Sequence, residues 1–347
     1  MTRRQGRVLI IGPSNIGDAI LMSDVIAAVH ESVSDAHLTL VVGERATALF
    51  VDDPRIHTLV NLDAYNSLVG RLKLLLALWR FQPHLLIDLR HTLYPLLLKP
   101  LRAWRYFWFP PRRLVHMRDR HWWKLTMQAP AIASAMAGRG PDEFRSRRNG
   151  SSVWLSERDE EHVKGLWRRW NLSQTQRLVI ICPGARSHIK RWTAEGFAQV
   201  ADRLIADHGA QVVFSGEPDE ESVIESIREF MRQRAVSAVG LTTIRQLGVL
   251  MRRAQLVITN DSASLHLASA LQVPTVAIFG PTDAAKYGPR AFQSRTVRRR
   301  LFCAPCEQPL CRFNHECMRF VAADEVFDAA RDLLQQAISH KHQRRTT

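Results

Sequence analysis

The sequence lacks the apolar segments that would carry a protein into or across a membrane. It has no run of about 18 or more uncharged apolar residues, which argues against a spanning helix. The apolar run Val8–Ile11 near the N-terminus is too short for the core of a signal peptide, and no small-residue cleavage site follows it. We therefore expect a cytoplasmic protein.

Cysteine and acidic residues are both scarce. The 347 residues include five cysteines, and a reducing cytoplasm argues against a stable disulfide framework. Lys and Arg number 48 against 33 Asp and Glu, which gives a formal net charge of +15. This excess indicates an anionic partner, whether nucleic acid, an acidic membrane surface or an anionic substrate.

The chain is long enough for two domains of ordinary size. In both halves short apolar runs alternate with longer mixed segments, a pattern that predicts parallel sheets flanked by helices. The polar, glycine-rich stretch 138–152 precedes the second alternation and indicates a boundary. We predict a first domain over residues 1–155, a second over 156–335 and a basic disordered tail over 336–347.

The apolar runs predict four strands in each half and a ligand at the carboxyl ends of those strands, in a cleft between two facing α/β domains. The predicted strands are Arg7–Gly12, Leu38–Gly43, Thr58–Leu62, His84–Leu89, Leu178–Cys182, Gln211–Ser215, Leu256–Thr259 and Thr275–Phe279. The predicted helices are Asp18–Ser32, Glu157–Trp170, Ala194–His208, Glu220–Arg234 and Thr243–Arg253.

The most informative motif is the segment 260–266, where a predicted strand ends at an acidic, hydroxyl-rich turn and a helix begins. Asp261 or Ser262 is suited to cap this helix. The backbone N–H groups of Ser262 and Ala263, with the helix dipole, favour a bound phosphate, and His266 lies about one turn inside. A plain capped helix with a buried histidine is the alternative.

Two further loops follow strands of the second half. The loop 182–192 combines a glycine that permits close backbone approach with hydroxyl and ammonium groups that suit a phosphate, although an ordinary basic loop is the alternative. The loop 214–220 offers carboxylates that either bind ribose hydroxyls or simply start the next helix. The candidate residues of the two loops are Gly184, Ser187, Lys190, Gly216, Glu217 and Glu220.

The first turn of the chain, residues 11–19, has the strand–loop–helix setting of a phosphate loop. Asp18 and Ala19, however, stand where such a loop needs Lys and then Ser or Thr. A carboxylate would repel a phosphate, whereas it suits a general base. Favourable electrostatics at a helix start is the alternative role for Asp18.

The stretch 99–124 holds eight Lys or Arg, seven aromatic residues and one acidic residue. This composition suits contact with anionic lipid or with single-stranded nucleic acid, and a solvated basic face with core aromatics is the alternative. The candidate acceptor and membrane contacts are Arg102, Arg105, Arg112, Arg113, Arg120, Lys124, Trp108 and Trp122.

Four of the cysteines cluster near the C-terminus, with the ligand count of a structural zinc site but a tighter spacing than paired CxxC motifs. Buried thiols or a labile disulfide are the alternatives, and we expect bound metal or free thiols in the cell. The candidate ligands are Cys303, Cys306, Cys311 and Cys317.

Taken together, these segments resemble glycosyltransferase family 9, the lipopolysaccharide heptosyltransferase family. The cysteine cluster is also seen in many members of that family. The resemblance covers residues 7–318 in four blocks: Gly17-Asp18; Pro183-Gly184-Ala185 with Lys190 and Trp192; Gly216 with Asp219-Glu220; and residues 260–268 running on to 279–283.

The resemblance implies a GT-B fold of two Rossmann-like domains and an inverting transfer that requires no metal. It also implies an ADP-activated heptose as donor and, as acceptor, a lipid-linked saccharide of the lipopolysaccharide inner core at the cytoplasmic surface of the inner membrane. Asp18 resembles the catalytic base, Glu217 or Glu220 would hold ribose, and Asp261 would shape its loop or touch the donor. The residues that resemble donor diphosphate contacts are Ser187, Lys190, Ser262, Ala263 and His266.

Two other functions compete with this interpretation. A different GT-B enzyme, with another donor or with epimerase activity, would keep the same turn at 260–266 because any diphosphate could use it. Nucleic-acid binding would explain the charge, but charge alone does not explain four candidate sites at helix starts. We therefore expect no nucleic-acid partner.

Overall fold

The computed structural model describes residues 6–343 except residues 34, 137 and 141–151, and the side chains of 102, 103 and 337–343 are not described either. The chain divides into two compact units, residues 1–154 and 155–347. The sequence predicts this boundary one residue later, and most of the polar stretch 138–152 lies outside the described residues. Within the described part of the chain, no helix has both the length and the apolar character needed to cross a bilayer.

The first unit contains a four-stranded parallel sheet in the order β3-β2-β1-β4. Val8 pairs with Leu38 on one side and with Leu85 on the other, so β1 is central and its apolar residues are buried on both faces. The strands are β1 (Arg7–Ile11), β2 (His37–Val42), β3 (Thr58–Asn61) and β4 (Leu85–Asp88).

Among the described residues of this unit, six α-helices and two 3-10 helices accompany the sheet. Helix α1 is buried from Ala19 to Val29 and packs against α5, where a buried ion pair joins Asp24 to Arg118. These contacts fix the helix whose first turn carries Asp18. The helices are α1 (Ile16–Ser32), α2 (Glu44–Phe50), α3 (Leu68–Phe81), α4 (Tyr94–Leu98), α5 (Met117–Gln128) and α6 (Pro130–Ala135), with 3-10 turns at Leu62–Tyr65 and Pro100–Tyr106.

The second unit contains a six-stranded parallel sheet in the order β10-β9-β8-β5-β6-β7. Its four central strands are buried, largely apolar runs, in which only Gln211 is half-buried, and they match the predicted strands to within one residue. The two edge strands were not predicted, because one is two residues long and the other is polar and exposed. The strands are β5 (Leu178–Cys182), β6 (Gln211–Phe214), β7 (Val236–Ser237), β8 (Leu256–Asn260), β9 (Thr275–Phe279) and β10 (Ser294–Arg298).

Local signals explain where the helices of this unit begin and end. Thr193 caps the start of α8, and Gly209 ends it in the left-handed conformation at φ 59°. The helices are α7 (Glu157–Arg169), α8 (Ala194–His208), α9 (Glu221–Phe230), α10 (Ile244–Arg253), α11 (Ala263–Ala270), α12 (Ala284–Tyr287), α13 (Glu316–Arg319) and α14 (Ala323–Gln343). Short 3-10 turns occupy His188–Lys190 and Pro218–Glu220.

The predicted disordered tail over 336–347 needs correction, because α14 continues to Gln343. Val326, Ala330, Leu333 and Leu334 bury one face of this helix in the core of the second unit. Packing of that face anchors the helix, and further turns then propagate from it. Residues 344–347 lie outside the described residues.

Candidate active site

The loops singled out in the second half all leave the same edge of the second sheet. Strands β9, β8, β5 and β6 are parallel neighbours, so their carboxyl ends lie side by side. The loops that follow them contain Thr282, Asp261, Gly184 and Glu220, respectively. Ligands of open parallel sheets bind at this edge, so the structure collects the candidate residues where such a ligand would lie.

The side chain of Asn260 ties two parts of the β5 loop to the end of β8. Its Nδ2 donates to the carbonyl of Pro183 at 2.6 Å, and its Oδ1 accepts from the backbone N–H of Trp192 at 3.2 Å. Asn260 is fully buried, so neither partner has water as a substitute. The amide therefore fixes both ends of the segment that carries Gly184, Ser187 and Lys190.

A single carboxylate oxygen joins three loops of the site. Oδ2 of Asp261 accepts from Nζ of Lys190 at 2.7 Å and from Oγ1 of Thr282 at 2.7 Å. The Asp261 side chain is 5% exposed, whereas that of Lys190 is 29% exposed. The buried aspartate thus orients a cation that still reaches solvent.

The N-terminus of helix α11 lies at the same carboxyl edge of the second sheet. Ser262 is the N-cap, but its side chain makes no capping hydrogen bond. Ser262 therefore takes one of the two predicted N-cap positions but without a capping bond, and Asp261 is instead engaged by Lys190 and Thr282. His266 is buried within the helix and lies beside the ring of Tyr287, with 6.4 Å between ring centroids.

Glu220 fills the space between the two glycines of the β5 and β6 loops. A Cβ added to Gly184 would lie 2.0 Å from Oε1 of Glu220, and one added to Gly216 would lie 2.9 Å from its Oε2. Oε2 also accepts the backbone N–H of Glu217 at 2.9 Å. Burial raises the pKa of Glu220 above its usual range, whereas the Glu217 side chain is exposed.

In the first unit, Asp18 lies half-buried in the first turn of α1. The loop before it is joined to the end of β4, because the guanidinium of Arg90 donates to Oγ of Ser14 at 2.7 Å. Asp88 shapes the β4 loop by accepting from the backbone N–H groups of Arg90 and Thr92. The carboxyl ends of β1 and β4 therefore form one connected polar edge.

A cavity of about 500 Å³ opens beside this edge, between α3, α4 and the turn at residues 62–66. Arg71 and Arg90 line it together with polar and aromatic groups, and leucines of α3 and α4 form the apolar part of its wall. The remaining lining residues are Leu62, Asp63, Tyr65, Asn66, Leu72, Leu75, Thr92, Leu93, Tyr94 and Leu97. The combination suits an anionic molecule with an apolar portion.

The structure separates the predicted basic and aromatic contacts into two groups. Arg112, Arg113 and Trp108 are exposed, and Trp108 reaches 53%. Arg105 lies over the ring of Trp104, with 5.3 Å between the guanidinium carbon and the ring centroid. Arg120 and Trp122 are half-buried, and the side chain of Arg102 lies outside the described residues.

Lys124 is a correction to this set, because it is buried and does not reach the surface. Its ammonium donates to the carbonyl of Leu89 at 2.6 Å. Burial lowers the pKa of Lys124 to about 8, although the nearby Asp88 acts in the opposite sense. The helical periodicity of α5 explains the error, since Leu125, Gln128 and His121 share its buried face.

The four clustered cysteines are free thiols in the structure. Burial raises the pKa of Cys317 to about 11, with smaller contributions from the other three sulfurs. Over the described residues, no group of three or more His, Cys, Asp or Glu side chains is arranged to hold a metal ion. The cysteines as placed therefore do not have the geometry of a zinc site.

The comparisons with known proteins place the sequence match in the second unit. The sequence profile of glycosyltransferase family 9 (heptosyltransferase) matches residues 155–316, which include every candidate residue of the second unit except Cys317. This match covers most of the second unit and slightly less than half of the chain. The chain is 31% identical over 172 residues to lipooligosaccharide heptosyltransferase 2 of Campylobacter jejuni, a match that covers 48% of this chain and 54% of that protein. The chain thus spans about half the length of the first curated relatives it matches.

Two solved structures of glycosyltransferases share the fold over nearly the whole chain. One from Veillonella parvula superposes with a TM-score of 0.74 at 20% identity, covering 97% of this chain and 99% of that one. ADP-heptose lipopolysaccharide heptosyltransferase II of Escherichia coli gives a TM-score of 0.71 at 19% identity, covering 95% and 99%. The predicted GT-B fold of two α/β units is therefore confirmed.

Three contributors to the site were not singled out from the sequence. Asn260 lay inside the main motif, where its position at the end of a buried strand was a signal for a buried amide. Thr282 lay in the block 279–283, but its bond to Asp261 joins residues 21 apart. Arg90 lies two residues after the end of β4. The rule that ligands bind at the carboxyl ends of parallel strands, applied to β4, would have indicated it.

Replacing Asn260 with alanine should destabilise the second unit. The change leaves the carbonyl of Pro183 and the N–H of Trp192 without their partners, at a cost of roughly 2–4 kcal/mol for the two groups. Urea unfolding followed by tryptophan fluorescence measures it. The control Gln233→Ala alters an exposed side chain and should change stability by less than about 0.5 kcal/mol. Equal stability of Asn260→Ala and wild type would contradict the role given to this amide.

Proposed function

We propose that the protein is an inverting glycosyltransferase that moves heptose from ADP-heptose onto the inner core of lipopolysaccharide. The observation that carries the proposal is the convergence of Gly184, Lys190, Glu220 and Asp261 at the carboxyl edge of the second sheet. The similar proteins support the substrate class, since one is a lipooligosaccharide heptosyltransferase and another an ADP-heptose heptosyltransferase.

The donor diphosphate is proposed to bind at the start of α11. The first-turn N–H groups at Ser262 and Ala263 receive no capping bond from the Ser262 side chain, and the helix dipole favours an anion there. Lys190 supplies a cation that Asp261 holds in place, while Ser187 and His266 supply further donors. These groups would stabilise the negative charge that develops on the departing ADP.

The ribose of the donor is proposed to bind beside Gly184 and Gly216. Of the two carboxylates considered, Glu220 lies against both glycines, whereas Glu217 is exposed. The absence of a Cβ on Gly184 lets the backbone and the carboxylate approach one ligand closely. Glu220 is therefore the proposed acceptor of the ribose hydroxyl groups.

Asp18 is proposed to be the catalytic base. The acceptor hydroxyl attacks C1 of the heptose from the face opposite the diphosphate, so a new C1–O bond forms while the bond to the β-phosphate oxygen breaks. The proton of the hydroxyl passes to the carboxylate of Asp18, and ADP leaves with the bonding electron pair. One displacement at C1 inverts its configuration, and this reaction step needs no metal ion.

The acceptor is proposed to be a lipid-linked saccharide bound in the first unit, at the cytoplasmic face of the inner membrane. The cavity between α3 and α4 supports this assignment, because Arg71 and Arg90 suit anionic groups and the leucines suit an apolar portion. The exposed Arg112, Arg113 and Trp108 support peripheral contact with the membrane. No nucleic-acid partner is part of the proposal.

Asp18→Ala should abolish most of the transfer while leaving donor binding intact. Loss of a positioned general base lowers the rate by roughly 10²- to 10⁴-fold. Product formation from ADP-heptose is followed by mass spectrometry, and ADP affinity by calorimetry. Glu31→Gln, which removes an exposed charge at the other end of α1, is the control and should keep wild-type rates. Retained turnover in Asp18→Ala would remove Asp18 from the mechanism.

Gly184→Ala should weaken ADP binding. The added methyl group would meet Glu220 at 2.0 Å and displace its carboxylate, so we expect about a tenfold loss of affinity, or roughly 1.4 kcal/mol. Gly165→Ala is the matched control, because its Cβ would meet nothing within 4 Å. Calorimetric titration with ADP measures both, and unchanged affinity in Gly184→Ala would argue against a nucleotide beside this glycine.

The structural zinc at Cys303, Cys306, Cys311 and Cys317 stays a prediction from the spacing. Metal analysis of the purified protein tests it, and the absence of zinc would end it. Thiol titration in denaturant with a chelator should give five thiols per chain, since all five cysteines are free thiols. A count of three or fewer would contradict this and indicate a disulfide.

A further inference from the structure

Helix α3 carries apolar side chains on two faces, but the first unit buries only one of them. Leu74 and Leu78 are 1% and 3% exposed and belong to the core beside β1 and β4. The second face is open to solvent. Its members are Leu68 at 85%, Val69 at 65%, Leu72 at 56%, Leu76 at 46% and Trp79 at 59% exposure.

These five exposed residues form one continuous stripe. At 3.6 residues per turn their positions fall within an arc of about 100° around the helix. Lys73 and Arg80 follow at one border of that arc and Arg71 at the other. An apolar stripe with basic borders is the pattern of a helix that lies in the plane of a membrane interface.

The stripe continues onto neighbouring parts of the same unit. Leu72 of α3 lines one cavity with Leu93 and Leu97, and these two are 67% and 54% exposed. We call the stripe and these neighbours together the apolar face. Its remaining exposed members, on α4 and the segment after it, are Leu96, Leu101, Trp104, Phe107, Trp108 and Phe109.

The charge around the apolar face is predominantly positive. The acidic exception is Asp63 in the wall of the adjoining cavity, which accepts the backbone N–H of Glu44 at 2.8 Å. Residues 64–113 include nine Lys or Arg and a single acidic residue, Asp88. Asp88 is 1% exposed, and its carboxylate accepts hydrogen bonds from Arg90 and Thr92. The stretch thus presents apolar and cationic groups to solvent without an exposed carboxylate.

We propose that the apolar face docks onto an anionic lipid bilayer, with α3 parallel to the membrane plane and its stripe in the headgroup region. This charge complements phosphate-bearing headgroups, whereas a second copy of the chain would bring the same cations against one another. The inference rests on the proposed function, because a lipid-linked acceptor requires an enzyme at the membrane. It adds α3, which lies outside the basic stretch 99–124.

The test is binding of the full-length protein to vesicles. Wild type should sediment with vesicles that contain phosphatidylglycerol, less with pure phosphatidylcholine, and less as salt rises. Leu68→Ser/Leu76→Ser should lower the partition coefficient by about tenfold or more, because two large apolar contacts are lost. Lys73→Glu/Arg80→Glu should remove the preference for the anionic lipid.

Matched controls lie in the second unit. Phe292→Ser removes a side chain that is 88% exposed, and Arg234→Glu reverses an exposed charge. Both should bind vesicles like wild type. The proposal would be overturned if the α3 variants bound vesicles as well as wild type does. It would also be overturned if wild type bound no vesicles and the α3 variants lost self-association, because the apolar face would then be a contact between copies of the chain.

A second readout separates this inference from the proposed function. Transfer to a lipid-free fragment of the acceptor should be unchanged in Leu68→Ser/Leu76→Ser, since neither leucine lines the cavity. Vesicle binding by wild type without any sugar transfer would leave the docking surface standing and remove the enzymatic proposal. Sugar transfer by a protein that binds no vesicles would remove the docking surface and leave the enzymatic proposal standing.

Discussion

Three loops of the second unit meet on one carboxylate oxygen, Oδ2 of Asp261. Lys190 and Thr282 both donate to it, so the loops after β5, β8 and β9 have a common fixed point. A buried carboxylate is costly unless it is paired, and this requirement keeps Lys190 at the edge of the sheet. The start of α11, the β5 loop and the ammonium group of Lys190 are therefore held in one preorganised arrangement. Such preorganisation is what stabilisation of a departing diphosphate requires.

Under the proposed function, the two units bind different substrates. The second unit presents backbone N–H groups, one cation and one half-buried carboxylate, which are the contacts of a nucleotide diphosphate. The first unit presents Asp18, an amphipathic cavity and a large exposed apolar and basic surface, which suit a lipid-linked acceptor. Residues 64–113 of the first unit hold nine Lys or Arg and one acidic residue, which is a net +8 of the chain's formal +15.

Much of the fold could be predicted because the buried parallel strands are short apolar runs that end in glycine, proline or polar residues. The loop positions of Gly184, Lys190, Glu220 and Asp261 followed from those strand ends. The pairing of Lys190 with Asp261 could not be predicted, because it depends on β5 and β8 being neighbours in the sheet. Helix α3 was missed because its leucines occupy both faces and give no single periodicity. Lys124 was misplaced because composition alone does not tell which basic residues of a stretch turn inward.

The proposed transfer of heptose from ADP-heptose to a lipid-linked acceptor would add one heptosyl residue to that acceptor. The most direct measurement is mass spectrometry of that acceptor, isolated from cells that lack the protein and incubated with purified protein and ADP-heptose. We expect a mass increase of one heptosyl residue, together with release of ADP. An unchanged acceptor, or a donor sugar altered when no acceptor is present, would contradict it.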